Sequence, residues 1–189
     1  MESKQHWENV FSTKSPNEVS WTQVYPKTSM DYLEALQLPK TANIIDVGGG
    51  DSNLVDALLE NGYENIWVLD ISATALEKAK KRLGDKAINV HWIVSDITEF
   101  ETDVRFDFWH DRAVFHFLTD ETSISKYVEI VSNAVATNGH FLLGTFSENG
   151  ALKCSGLDIT QYSELSMKET FVKSFEALKC FTEDHITPF

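Results

Sequence analysis

A short apolar run, Asn43–Val47 (NIIDV), stops at three consecutive glycines, Gly48, Gly49 and Gly50. Helical periodicity begins within a few residues: Leu54, Val55, Leu58 and Leu59 share one face, with Gly62 as the stop. A strand that becomes a helix through bare backbone leaves space for something to approach the main chain closely.

The same rhythm continues. NIWVLDIS (Asn65–Ser72), NVHWIVSD (Asn89–Asp96), RFDFWHD (Arg105–Asp111) and HFLLGTFS (His140–Ser147) read as further strands. Between them, SATALEKAKKRLG reads as a helix with Ser72 as N-cap and Gly84 as stop. TDETSISKYVEIVSNAVATNG reads as another, ending at Gly139. Strand–helix alternation predicts a doubly wound α/β domain: a mostly parallel sheet with helices on both faces. Upstream, TSMDYLEALQLP predicts a helix capped by Thr28 or Ser29. The first 25 residues carry Trp7, Phe11, Trp21 and Tyr25 and are expected to pack over the sheet's open end. Downstream, ENGALKCSGLDIT reads as a loop, SELSMKETFVKSF as a helix and EALKCFTEDHIT as a sixth strand.

With 189 residues the chain suggests one domain with a sizeable core. Its net charge of -13 repels phosphate backbones and anionic membranes, so neither nucleic acid nor membrane is an expected partner. The basic run KAKKR, Lys78–Arg82, reads as a solvated helix face. Cys154 and Cys180 match no metal spacing, no histidine–carboxylate cluster suggests a metal, and the N-terminus has no signal-peptide pattern. A cytoplasmic location is expected, with both thiols reduced.

In open parallel sheets, ligands bind beyond the carboxyl ends of the strands. Asp46, Asp70, Asp96 and Asp111 fall at or near such ends, beside the triple glycine. Any one of them would serve as a turn or helix cap. A nicotinamide site wants G-x-G-x-x-G, but the sixth position here is Asn53, and Asp51 would repel a pyrophosphate. An adenosine carrying a cationic amino-acid end fits better. Asp46 would take its ammonium, the bare turn its carboxylate, Asp70 the ribose hydroxyls and Asp96 the adenine amine.

IIDVGGGDS, WVLDIS, VSDI and FDFWHDRAVFHFL together resemble the class I, seven-strand, S-adenosylmethionine-dependent methyltransferases, over Asn43 to Ile186. VSWTQVYPKT (Val19–Thr28) and KCSGLDITQYS (Lys153–Ser163) are similar to a small bacterial subgroup related to protein-lysine methyltransferases. The resemblance implies S-adenosylmethionine as cofactor, with Asp46, Gly48, Gly49 and Gly50 at its methionine end. It implies Asp70 and Ile71 at the ribose, Asp96 and Ile97 at the adenine, and His110 and Asp111 beside the sulfonium and the acceptor. Asp51 departs from the usual motif and is expected to face solvent or cap the helix. Strand four lacks the motif of DNA-base amino methylases. The family adds a seventh, antiparallel strand, and this chain reaches Phe189 where that strand would begin.

The expected organisation is one methyltransferase domain over 1–189: a helical lid segment at 1–40, a cofactor core at 41–147 and an acceptor-side segment at 148–189. Catalytic candidates are His110 as general base, Asp111, and Trp21 as an aromatic lid over a cation. His116 would face the cavity or the core, and Arg112 would pair with Asp111 or grip an acidic acceptor. Trp67, Trp92 and Trp109 are expected in the core or against helices. The expected function is methyl transfer to a small-molecule or protein acceptor. A protein-lysine acceptor and a non-catalytic nucleotide-binding module are the alternatives.

Overall fold

The computed structural model describes residues 2–15 and 18–185. Its sheet has five parallel strands: β1 (Asn43–Val47), β2 (Asn65–Asp70), β3 (Val90–Val94), β4 (Phe106–Asp111) and β5 (Val135–Leu143). Their spatial order is β3-β2-β1-β4-β5. Strand order therefore reverses between β1 and β4, which places a crevice beyond Val47 and Asp111.

Alternate side chains of each strand leave on opposite faces, and the core divides accordingly. Ile44, Ile66, Val68 and Phe108 pack with Met30 and Leu33 of α2 (Lys27–Leu36), Leu54 and Leu58 of α3 (Leu54–Glu60), and Leu76 of α4 (Ala73–Leu83). On the other face, Ile45, Val47, Leu69 and Trp109 meet Tyr127 and Val131 of α5 (Glu121–Ala134) and Phe171 of α6 (Glu164–Phe171). Trp109 is fully buried; Trp67 stacks on His91 at 4.4 Å and Trp92 donates to Ala87 O at 3.0 Å.

The first helix, α1 (Glu2–Thr13), lies against α4. Glu8 accepts from the amides of Ala73 at 2.7 Å and Thr74 at 3.2 Å. A carboxylate on the open amides of a helix N-terminus is favoured by hydrogen bonding and by the dipole. Ser72 caps the same helix from within, accepting from Ala75 N at 3.1 Å, and Gly84 ends it.

Several elements differ from the sequence reading. Helix α2 opens at Lys27 after Pro26 with no side-chain cap, so neither Thr28 nor Ser29 is its N-cap. Helix α5 ends at Ala134 rather than running to Gly139; Val135, Thr137 and Gly139 enter β5, where a register shift against β4 holds Asn138 at φ 63°. β-Branched residues and a glycine suit an irregular strand better than the end of a helix. The loop at 148–160 contains a small hairpin, β6 (Lys153–Cys154) with β7 (Leu157–Asp158). No sixth sheet strand forms over 176–185, and Ile186 and Thr187 lie outside the described residues. Instead Phe181 stacks with Tyr32 at 6.0 Å, and Glu183 accepts from the Thr28 hydroxyl at 2.8 Å. Among the described residues no strand pairs with the outer edge of β5.

Phe108 is 1% exposed and sits where β1, β4 and the helices of one face converge. Phe108→Ala is expected to lower the unfolding free energy by about 3–5 kcal/mol, measured by urea denaturation.

Candidate active site

The carboxyl ends of β1, β2 and β4 open into a cleft that continues along β5 to α6 and the 176–185 stretch, about 1940 Å³ in all, and is lined also by the N-terminal segment.

The glycine turn forms its floor. Gly48 and Gly50 adopt φ +68° and +40°, a region that side chains avoid. A Cβ at Gly48 would lie 2.4 Å from Val114, one at Gly49 2.7 Å from Asp46 Oδ2, and one at Gly50 2.8 Å from Asp70 Oδ2. The amides of Gly48 and Gly49 donate to Leu69 O at 2.7 and 3.2 Å. These glycines therefore clear space, and their two N–H groups are committed within the fold.

Asp46 lies beneath this turn and is 3% exposed. Its Oδ1 bonds His110 Nδ1 at 2.7 Å, and His110 Nε2 bonds Ser29 Oγ at 2.8 Å. A neutral imidazole that donates from Nδ1 accepts at Nε2 from the Ser29 hydroxyl. Asp46 Oδ2 is buried with no partner among the described residues. Both His110 nitrogens are thus engaged within the fold, one on Asp46 and one on Ser29, while the residue also lines the cleft. Ser29 was visible in the sequence only as a capping candidate; nothing local signals its buried contact with β4.

Asp111 is enclosed. It accepts from the amides of Ala113, Val114 and Phe115 at 2.9, 2.9 and 3.2 Å and from the Tyr127 hydroxyl at 2.6 Å. Its relative exposure is 0%, and it does not line the cleft, which removes it from the catalytic candidates and makes it the anchor of the turn after β4. Burial pushes its carboxyl upward, against the bonds from Tyr127 and the amides. Arg112 does not pair with it, reaching Gln23 and, at 3.8 Å, Glu183.

Asp70 accepts from Ser72 N at 2.8 Å. Burial raises it to about 7, with the charges of Asp46 and Glu8 adding to the effect and the Ser72 amide opposing it. Asp96 is exposed and accepts from Thr98 N and Oγ1, both at 2.9 Å, while Ile71 and Ile97 border the same cleft. Asp51 neither faces open solvent nor caps α3: it is paired with Arg82, which also holds Asp56 at 2.8 Å, so KAKKR is not simply a solvated face. Asn53 donates to Gln23 O at 2.8 Å, tying the turn to the N-terminal segment.

Trp21 packs edge-on against Trp7 at 5.7 Å and Phe11 at 6.1 Å, and Trp7 meets Phe117 at 5.1 Å. This cluster lines the cleft, whereas Tyr25 stands about half exposed, away from the packing expected of it. His116 also lines the cleft, 4% exposed, and burial lowers it to about 4. Among the described residues no group of three or more His, Cys, Asp or Glu is disposed to hold a metal ion, and no helix is long and apolar enough to cross a membrane.

Asp70 retains a proton that the unfolded chain releases near pH 3.8. The folded state thus binds more protons in that window, and its stability contribution falls as pH rises from about 4 to about 7. Asp70→Asn is expected to remove this component, measured as a smaller loss of Tm between about pH 5 and pH 8 than in the unaltered chain.

The methyltransferase domain family matches residues 38–187. Mouse "eEF1A lysine and N-terminal methyltransferase" is 24% identical over 158 residues, covering 80% of this chain and 22% of that protein. "Malonyl-[acyl-carrier protein] O-methyltransferase 1" of Ilyobacter polytropus is 26% identical over 135 residues, covering 71% of this chain and 49% of that protein. The chain thus spans about a fifth and about half of these two relatives. The solved structure of a TehB-like SAM-dependent methyltransferase from Corynebacterium glutamicum superposes with a TM-score of 0.60 at 16% identity, covering 92% of this chain and 80% of that one. The match over most of the chain, on a parallel sheet with a glycine turn at its switch point, places the protein in the methyltransferase domain family, on a Rossmann-like fold.

Proposed function

We propose that this chain catalyses methyl transfer from S-adenosylmethionine to a small-molecule or protein acceptor, with Asp46, Asp70 and the glycine turn holding the cofactor. The observation that carries the reading is the buried, unpartnered Oδ2 of Asp46 beneath glycines whose Cβ positions would collide with Asp46 and Asp70. An anionic oxygen without a partner in a buried site calls for a cation, and the ammonium of an amino-acid end is one. The residues present therefore fit the cofactor.

When bound, the cofactor supplies a methyl group already activated on a sulfonium. The chain's own residues have to orient and desolvate. Asp46, held by His110 and Ser29, offers one fixed oxygen. Asp70, when ionised, accepts two hydroxyl protons in a bidentate manner, as a ribose diol requires. Asp96 and Ile97 border the place for the adenine. Trp21, with Trp7 and Phe11, supplies aromatic faces and excludes water from the turn. A cationic centre against such a face gains about 0.5–2 kcal/mol. We read the 148–185 segment as the acceptor side and the cytosol as the place of action.

A protein-lysine acceptor is the second reading. The chain's net charge of -13 favours a basic segment as partner, and a mouse relative is named for lysine methylation.

Calorimetric titration is expected to show micromolar binding of S-adenosylmethionine and S-adenosylhomocysteine, with none for NAD. Asp70→Ala and Gly49→Val are each expected to weaken binding at least tenfold. A folded sample that binds neither adenosyl ligand overturns the assignment.

A further inference from the structure

Two side chains of the cleft remain unexplained by a cofactor site. His116 is 4% exposed, and neither ring nitrogen has a hydrogen-bond partner among the described residues. Tyr162 is 8% exposed, and its hydroxyl is likewise without one. Both residues line the cleft, and the Tyr162 main chain meets Phe146 beside the His116 ring. The His116 ring lies 5.0 Å from that of Phe146, and Tyr162 N donates to Phe146 O at 2.9 Å. Buried polar groups in native folds are overwhelmingly paired, so two orphans in one cavity lining point to a partner from outside.

Their surroundings say what kind. The His116 ring is 4.3 Å from Phe117, and the Tyr162 ring stacks on Phe115 at 5.1 Å. Among the described residues no carboxylate and no cation bonds either polar group, so neither an ammonium nor an anion finds its counter-charge in them. The wall is also continuous with the cofactor turn. Phe117 touches Trp7, Trp7 touches Trp21, Trp21 touches Phe11, and Phe11 lies 3.3 Å from the Cβ position of Gly50.

We infer that His116 and Tyr162 form the acceptor subsite, and that it takes an uncharged hydroxyl borne on a flat apolar body, a phenol being the simplest example. This rests on the methyltransferase reading and favours its small-molecule branch. Aromatic walls accept a planar ring by stacked and edge-on contact. The Tyr162 hydroxyl donates to the acceptor oxygen, and His116 receives that oxygen's proton. The oxygen–carbon bond forms as the carbon–sulfur bond breaks with its electrons to sulfur, and the O–H proton passes to the imidazole. One positive charge is present before, on sulfur, and one after, on His116. A weakly basic imidazole suffices, because an oxygen carrying both hydrogen and methyl is strongly acidic.

The test is NMR of protein labelled in its histidine rings, with and without S-adenosylhomocysteine, titrated with phenol and separately with n-butylammonium. His116→Gln identifies the resonance. Phenol is expected to shift the His116 signals, with at least fivefold weaker affinity in Tyr162→Phe, while n-butylammonium leaves them in place. S-adenosylhomocysteine affinity is expected to stay within twofold in both variants. No response to phenol, or an equal response to n-butylammonium, overturns the proposal. A loss of S-adenosylhomocysteine binding in His116→Gln overturns it too, assigning His116 to the cofactor. If the unaltered chain binds no S-adenosylhomocysteine, the methyltransferase reading fails, and the phenol titration of the free protein still decides the subsite.

Discussion

The carboxylate of Asp46 lies under Gly49, with one oxygen bonded to His110 and the other left without a partner among the described residues. Three elements meet through that group: β1 carries it, β4 carries His110, and α2 carries Ser29. Because the crevice opens between β1 and β4, this chain of bonds spans the switch point itself. A buried carboxylate is costly unless answered, and here it is half answered. The unanswered half faces the turn where the glycines have removed every side chain.

Asp46 contrasts with its neighbours along the strand ends. Asp111 receives three amides and a tyrosine hydroxyl and is closed off from the cleft. Asp70 has Ser72 N as a partner and is pushed up to about 7, chiefly by burial. The same residue type in corresponding positions thus serves two ends. Fully bonded, it fixes a turn; partly bonded and desolvated, it stores the capacity to bind.

Above the floor, the N-terminal segment supplies a roof that the sheet alone lacks. Glu8 docks on the start of α4, Asn53 ties the turn to Gln23, and Trp7, Phe11 and Trp21 interlock over Gly50. These contacts fix α1 and the Trp21–Gln23 stretch against the start of α4 and the glycine turn. They also put an aromatic surface on the wall of the cleft beside the glycine turn.

By itself the sequence determined the doubly wound class, the five strands of the sheet, the glycine turn and the acids beside it. Those features follow from local rules: side-chain alternation in strands, helical periodicity, and glycine where the backbone turns left-handed. The end of α5 and the stretch after Phe175 differ from the sequence reading, because Val135–Gly139 and Glu176–His185 carry patterns that fit more than one element. Only the tertiary structure decided who bonds whom. His110 stands next to Asp111 in the chain, yet its partners are Asp46, 64 positions away, and Ser29, 81 positions away. Arg112 turns from Asp111 to Gln23, and Asp51 to Arg82. Strand order and helix docking set those distances, and no local pattern encodes them.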